Sequence, residues 1–545
     1  MADWGKGINN DIGWGQGGTN NIGYGSIYPD SNSGLTLLLK DSNIKLYVRP
    51  LGTTYGNSSG DSFENAFSGF SNVDNAKCER NILVVSGTHT QAFSVGFNGT
   101  IIFNDEAGSG EIDATGLATG LNINGFDCLL NDPKVDNATT QNIYFQDSIS
   151  TVNGGRANNS GNQGVQHWSG SNITYTGAFV SNDNGDEGMS GHLNALVTIN
   201  GTFESKRNFQ SAINHIQDSK FIINGLVDFS DNGFADVYST NATTAKSCKS
   251  TINSNNSDLV LLSENGAEIE VNAGVYDDVK LSNSGGSDAF FTANNSIIKS
   301  ISQSEGEIKL NSCFAVIDNY NNATLLQFSN CNIDLSTGSG NITIVSGNTI
   351  DFKRCRINSA NAFADQIITN ESGNLVLYGN EFINIPENRF AIVVEDTALS
   401  SVIDNNIIDG NSNGRGILVQ KDTTINNNVF IDTAIRVFLQ QSATLTMNNN
   451  LSFNSGSDSL GGGTLVENNE LTTNPLFANS ANNDYSLTAS SPCIDAGIAV
   501  SNTLGIETAN FGSITELPVI VTKEQTNPPN IGSISGISAF QGMLD

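Results

Sequence analysis

The sequence is short of charge, and of positive charge above all. Charged residues are 14% of its 545 positions, with 24 lysines and arginines against 55 acids. The net charge of −31 excludes nucleic acid as a partner, because phosphate binding needs a basic face. It leaves polysaccharide open, since sugars are held by aromatic and polar groups. No apolar run reaches the length of a membrane span, so no membrane insertion is expected. The first thirty residues have neither a basic start nor an apolar segment, so no secretory signal is expected there. The protein is then expected to stay in the cell that makes it or to leave by another route, such as lysis. The seven cysteines are scattered and none has metal-ligand spacing, so they read as small core residues. Nothing marks a nucleotide, flavin or structural zinc site, and no cofactor is expected.

What is abundant is glycine, asparagine and short extended runs. Gly177, Gly201 and Gly225 stand 24 residues apart, each after a strand-like run (ITYT, VTIN, FIIN). Val165, Met189, Ile213 and Val237 recur at the same period. A period in the twenties built on strand-length apolar runs predicts a solenoid. The fold class is all-β: a right-handed parallel β-helix over 81–497, on the order of 17 coils at about 4.8 Å each. Equivalent residues then form columns. Asn380, Asn406, Asn428 and Asn450 are one such column, read as structural. Residues 28–80 form a lead-in and cap, with a strand at Leu46-Tyr47-Val48 and a short helix at Ser62–Phe67. Residues 498–545 form a closing segment.

Residues 1–27 differ from the rest. Two units of ten residues open with Trp4-Gly5-Lys6-Gly7 and Trp14-Gly15-Gln16-Gly17, and Tyr24-Gly25 begins a third. Packing on the first coil is one role for them. Regularly spaced aromatics that a glycine-rich segment cannot bury favour the other, docking on a second protein through Trp4, Trp14 and Tyr24. This duplicated unit resembles N-terminal motifs of virion proteins of tailed phages, particularly those infecting Bacteroidota. The lead-in (Tyr47-Val48…Ser62-Phe63-Glu64-Asn65-Ala66-Phe67) and the run Ser490-Ser491-Pro492-Cys493-Ile494-Asp495-Ala496-Gly497 resemble the two ends of right-handed β-helix proteins of the pectate-lyase-like superfamily.

The densest reactive cluster runs from Ser181 to His192, at a turn and the strand after it. Asp183, Asp186, Glu187 and His192 are the candidate catalytic residues. Trp168, Lys206, Arg207, His215 and Tyr238 fall in neighbouring coils and are candidates for substrate binding. At the 24-residue period Asp183 stacks on Arg207 and Asp231, while Gln166, Ser190, Asn214 and Tyr238 share an outward column. Glycoside hydrolysis would use two of the carboxylates. Polysaccharide lysis would use His192, Lys206 or Arg207 as base, with Ca²⁺ on the acids. A binding face without chemistry, or a surface ion ladder, needs neither.

The resemblances imply a tailspike or tail fibre-like virion protein, attached to tail or capsid proteins through residues 1–27. It would recognise, and in some members depolymerise, host surface polysaccharide, commonly as a homotrimer. Two alternatives stand beside this. One is a free bacterial polysaccharide lyase or glycoside hydrolase; the other is a non-enzymatic decoration protein of the virion.

Overall fold

The computed structural model describes residues 44–498, apart from 107, 241, 243–244, 254–258, 284–286, 319–322, 336–341, 346, 361–365 and 441, together with the strands Glu507–Asn510 and Val519–Thr522. The aromatic repeats of residues 1–27 and most of the closing segment lie outside the described residues. What is described is a parallel β-solenoid of about 17 turns.

A 20-stranded parallel sheet runs the length of the molecule. Its spacing follows the sequence period: Ile173 pairs with Val197 and Val197 with Phe221. At the exit of these strands Gly177, Gly201 and Gly225 stack. A Cβ on Gly225 would lie 1.8 Å from the carbonyl oxygen of Gly201, and one on Gly201 would lie 2.1 Å from that of Gly177. The repeat keeps glycine here because backbone crosses backbone with no room for a side chain.

The remaining strands divide the molecule into two limbs. In the N-terminal limb each coil continues into an 8-stranded second sheet, turns through a loop and enters a third sheet. Phe203–Lys206, the loop after it and Ile213–Ile216 illustrate one such coil. In the C-terminal limb the order changes: the third sheet follows the first directly, and a 6-stranded fourth sheet closes the coil. Between the limbs is a waist. There Gly274–Ser282 and Ser296–Ser304 are single long strands that pair with both limbs' versions of the third sheet, with register shifts. Coils shrink accordingly: Thr292 pairs with Lys309, and Lys309 with Gln327.

Three expectations change. Ser62–Phe67 is not a helix. The Ser62 hydroxyl accepts the Asn65 amide at 3.2 Å, which makes a turn, and the short helix lies at Asn75–Cys78 with the Asp74 side chain as its cap. The strand Lys45–Arg49 is no mere lead-in, because it pairs with Ile82–Val85 as part of the first sheet. The coils also stop before 497. The last ladder strand is Thr464–Asn468, and the chain then folds back along the flank of the third sheet. There Tyr485 and Cys493 bury the outward-facing Ile383, Ile407, Val429, Ile431 and Leu451. Asn449 donates to the Ala496 carbonyl and Asn427 to that of Ile498, which ties the end of the segment to these coils.

Inside the coils, amides and thiols form continuous stacks. Asn380, Asn406, Asn428 and Asn450 are fully buried, and each donates to the side-chain oxygen of the next at 3.0 Å. Cys313, Cys331 and Cys355 extend the same column, and the Cys355 amide donates to Asn380. All seven cysteines are free and buried.

Candidate functional site

The loops that join the second sheet to the third, and the outward face of the third, form the candidate site. The sequence predicts its columns by spacing alone, and the pairing follows them. Gln166, Ser190, Asn214 and Tyr238 are in register on the outward side. Val165, Met189, Ile213 and Val237 face inward and are fully buried. In the loops the Asp186 amide donates to Asn162, the Gln210 amide to Asp186 and the Phe234 amide to Gln210, so those four residues stack. A second ladder anchors the loops from within: Asn184 donates to Asn208 at 2.9 Å and Asn208 to Asn232 at 3.0 Å. The sequence carried this column at period 24, but its members hide among other asparagines.

Glu187 is the centre of the arrangement. It is only 4% exposed. Asn214 Nδ2 donates to one of its carboxyl oxygens at 2.8 Å and Gln163 Nε2 to the other at 3.0 Å. The same Gln163 nitrogen lies 3.4 Å from Asp186, so the two neighbouring carboxyls are drawn together. Burial pushes the Glu187 carboxyl above the ordinary range, and burial raises Asp186 as well. The Ser190 and Ser211 hydroxyls and the Asn214 side-chain oxygen around it are buried and have no hydrogen-bond partner. Such groups cost about 1–3 kcal/mol each when left unmade.

His192 stacks on Trp168 with ring centres 4.7 Å apart and approaches Gln166 at 3.4 Å. Burial lowers its imidazole to about 4, so it is neutral at physiological pH. Tyr238 donates to Glu264 at 2.7 Å and meets Phe234 edge-on at 5.3 Å. Burial pushes its phenol up to about 12. Phe234 is 53% exposed and Phe209, which the sequence reading did not single out, is 76% exposed. Phe209 sits in a column with glycines before and after it, Gly185 and Gly233. A shallow cavity of about 290 Å³ opens beside Phe234, with Asp231 and Asp236 in its wall.

The other predicted residues do not join this group. Asp183 turns its carboxylate to Arg207, in a paired contact of 2.7 and 2.6 Å, and the guanidinium holds that carboxyl below its usual range. Both residues have left-handed backbones, with φ of 58° and 54°, and form the surface ladder with Asp231. Lys206 lies on the second sheet and is ion-paired with Asp228 at 2.5 Å and Glu204 at 3.5 Å. His215 is a correction. It is fully buried inside the coil, with Nε2 against the hydroxyls of Ser239 (2.5 Å) and Ser250 (2.6 Å) and Nδ1 3.1 Å from the Cys248 sulfur. Burial lowers it to about 3. It cannot touch a substrate, and neither can His167, which bonds Tyr175 inside the same limb.

Among the described residues, no group of three or more histidines, cysteines and acids is arranged to hold a metal ion. A larger open trough of about 510 Å³ near Asn131 and Asn153 carries no aromatic side chain. No family model and no curated protein matches the chain.

Proposed function

We propose that the protein is a tailspike or fibre-like component of a phage virion that recognises host surface polysaccharide through the face between Gln163 and Tyr238. The observation that carries this reading is the combination on that face. Exposed phenyl rings of Phe209 and Phe234 stand beside carboxyl and carboxamide groups whose neighbours lack partners. Sugars present flat apolar ring faces and rows of hydroxyls, and this surface matches both. The virion assignment rests on the aromatic repeats at Trp4, Trp14 and Tyr24, and trimeric assembly on the same resemblance.

Recognition is placed ahead of cleavage because Asp183 is held by Arg207 and His192 is a weak base, while the Asp186–Glu187 pair keeps hydrolysis as an outcome of the test. Hydrolysis needs two carboxyls about 5 Å apart, or about 6.5–9.5 Å apart with room for water between them. Asp186 and Glu187 are sequence neighbours gathered by one amide nitrogen, and Asp183 is turned away to Arg207. Elimination needs a basic group, and His192 is a weak base in its buried setting.

The test is incubation of the purified full chain with capsule or lipopolysaccharide of a Bacteroidota host, reading retention, product size and ultraviolet absorbance together. Retention of intact glycan is the expected result. Shortened products with new absorbance would mean a lyase, and shortened products without it a hydrolase. Absence of both retention and cleavage would leave a structural virion protein. Deleting residues 1–27 is expected to abolish incorporation into particles.

A further inference from the structure

The site carries a second message in the signs of its charges. Its exposed face presents acids and neutral amides. The cations of the second and third sheets in these coils are already engaged: Arg156 with Asp136 and Glu111, Lys206 with Asp228 and Glu204, and Arg207 with Asp183. Lys220 belongs to the first sheet, on another side of the solenoid. His192 is uncharged at neutral pH. A uronate or sulfated sugar would therefore meet carboxylates with no free cation beside them among the described residues.

Acids alone would not define a ligand site, but two further observations point to one. The Ser190 hydroxyl is 1% exposed, lies in the outward column between Gln166 and Asn214, and has no partner, although Asn214 is itself bonded to Glu187. Phe209 projects into solvent one coil after the Gly185-Asp186 step, with glycine above and below it in its column. Gln210, next to Phe209 in the chain, stacks on Asp186 through the backbone, so a pyranose ring laid on Phe209 sits about one coil step of 4.8 Å from the loop that carries Asp186.

We infer that this face takes an uncharged glycan, one ring stacked on Phe209 and its hydroxyls held by the Asp186–Glu187 pair and Ser190, and that it rejects uronate-bearing chains. The inference rests on the glycan-recognition reading above and narrows it to a substrate class. Carboxylates accept hydrogen bonds from sugar hydroxyls strongly, because the acceptor is charged. The phenyl face supplies the apolar contact that hydroxyl-rich ligands need to bind from water. The acids serve binding here, and their charge sorts neutral chains from acidic ones by repulsion.

The experiment uses the full chain and its Phe209→Ala variant. An array of neutral glycans (dextran, mannan, chito-oligosaccharides) and uronic glycans (polygalacturonate, alginate) is screened, and hits are measured by calorimetry. Phe209 is mostly exposed, so the variant is expected to melt as the parent does, and its melting curve is recorded. The expected result is binding of a neutral glycan, weakened by about tenfold or more in the variant, with no uronic glycan bound. A uronic glycan bound and weakened by Phe209→Ala would overturn the uncharged-ligand inference while keeping glycan recognition at this face. Binding indifferent to Phe209→Ala would remove the site from this face. Binding of no glycan at all would overturn both readings.

Discussion

The two limbs solve the same stacking problem with the same device and then part ways on their outer surfaces. Both run a buried asparagine ladder, Asn184–Asn208–Asn232 in the first and Asn380–Asn406–Asn428–Asn450 in the second. In the C-terminal limb the third sheet then turns isoleucine, valine and leucine outward, and residues 474–498 cover them. In the N-terminal limb the same sheet turns out Gln166, Ser190, Asn214 and Tyr238, and the loops that lead into it leave the phenyl rings of Phe209 and Phe234 in solvent. The C-terminal flank is thus covered by the chain's own packing, and the N-terminal flank stays open, as the glycan-binding proposal requires. A solenoid allows this because its core is local: changing the outside of one coil need not disturb the next.

Acid should separate the limbs most widely. All four histidines, His89, His167, His192 and His215, lie in the N-terminal limb. Burial lowers the first three to about 4 and His215 to about 3, from an ordinary value of 6.5. Below pH 6.5 the unfolded chain takes up protons that the folded limb refuses. Their contribution is therefore complete above pH 6.5 and is lost as pH falls toward 4 and then 3, at about 1.4 kcal/mol per histidine per pH unit. Glu187 and Asp236 offset part of this, since burial raises their carboxyls. In the C-terminal limb Asp404 and Asp409 are raised by burial with no histidine to oppose them. Hydrogen exchange at pH 7 and pH 4.5 should show protection falling across residues 82–240 and holding across 374–453. Equal loss in both limbs would contradict the division.

The covered flank gives the next largest effect. Arg356 is buried against Glu381, with 2.9 and 2.7 Å contacts, and donates to the Asn483 carbonyl of the returning segment at 2.7 Å. Arg356→Met leaves the Glu381 carboxylate, which is fully buried, without its main counter-charge. The expected cost is about 3–5 kcal/mol by denaturant unfolding. Limited proteolysis should cut between 474 and 498 earlier than in the parent, while the N-terminal coils stay resistant.

Asn406→Ala tests the ladder itself. The Asn406 oxygen accepts both the backbone and side-chain N–H of Asn380, and its own amide donates to the Leu377 carbonyl at 3.0 Å. Removing it strands several buried groups, for an expected loss of about 2–5 kcal/mol. Asn448→Ala breaks a partly exposed ladder in the next-but-one coil, where Asn448 donates to Asn426 at 2.9 Å. Water can replace that bond, so a change within about 0.5 kcal/mol is expected. Similar costs for the two would mean that burial does not set the ladder's worth.

How far the sequence could be read depended on how constant the period was. Between Val165 and Val237 it holds at 24, and the columns follow it residue by residue. At the waist the repeat contracts and two strands fuse, so no fixed offset crosses it. The side of the strand was legible for His215 and was overridden by chemistry. It stands two residues after the inward Ile213, and strand alternation turns it inward too. Its polar character pointed the other way, because its partners Ser239 and Ser250 come from later coils. The returning tail was hidden for a similar reason. Outward Ile383, Ile407 and Val429 read as core when the segment that covers them is out of view. Phe209 escaped notice because a lone phenylalanine in an apolar-rich repeat looks like core.

The smallest effect decides most about the site. Ser181 and Ser190 are both buried serines of one coil. The Ser181 hydroxyl lies inside, donates to the Gly188 carbonyl at 2.7 Å and accepts from Asn184 at 3.2 Å. Ser181→Ala should therefore cost about 1–2 kcal/mol. The Ser190 hydroxyl lies on the outward column and makes no bond. Ser190→Ala removes a polar group that folding leaves unsatisfied, so stability should stay within about 0.5 kcal/mol of the parent or rise slightly. Under the proposed glycan recognition, affinity should nevertheless fall, because that proposal gives the hydroxyl its partner in the ligand. If Ser190→Ala destabilised the fold as much as Ser181→Ala, that hydroxyl would belong to the framework, and the N-terminal face would differ from the C-terminal flank only in lacking a cover.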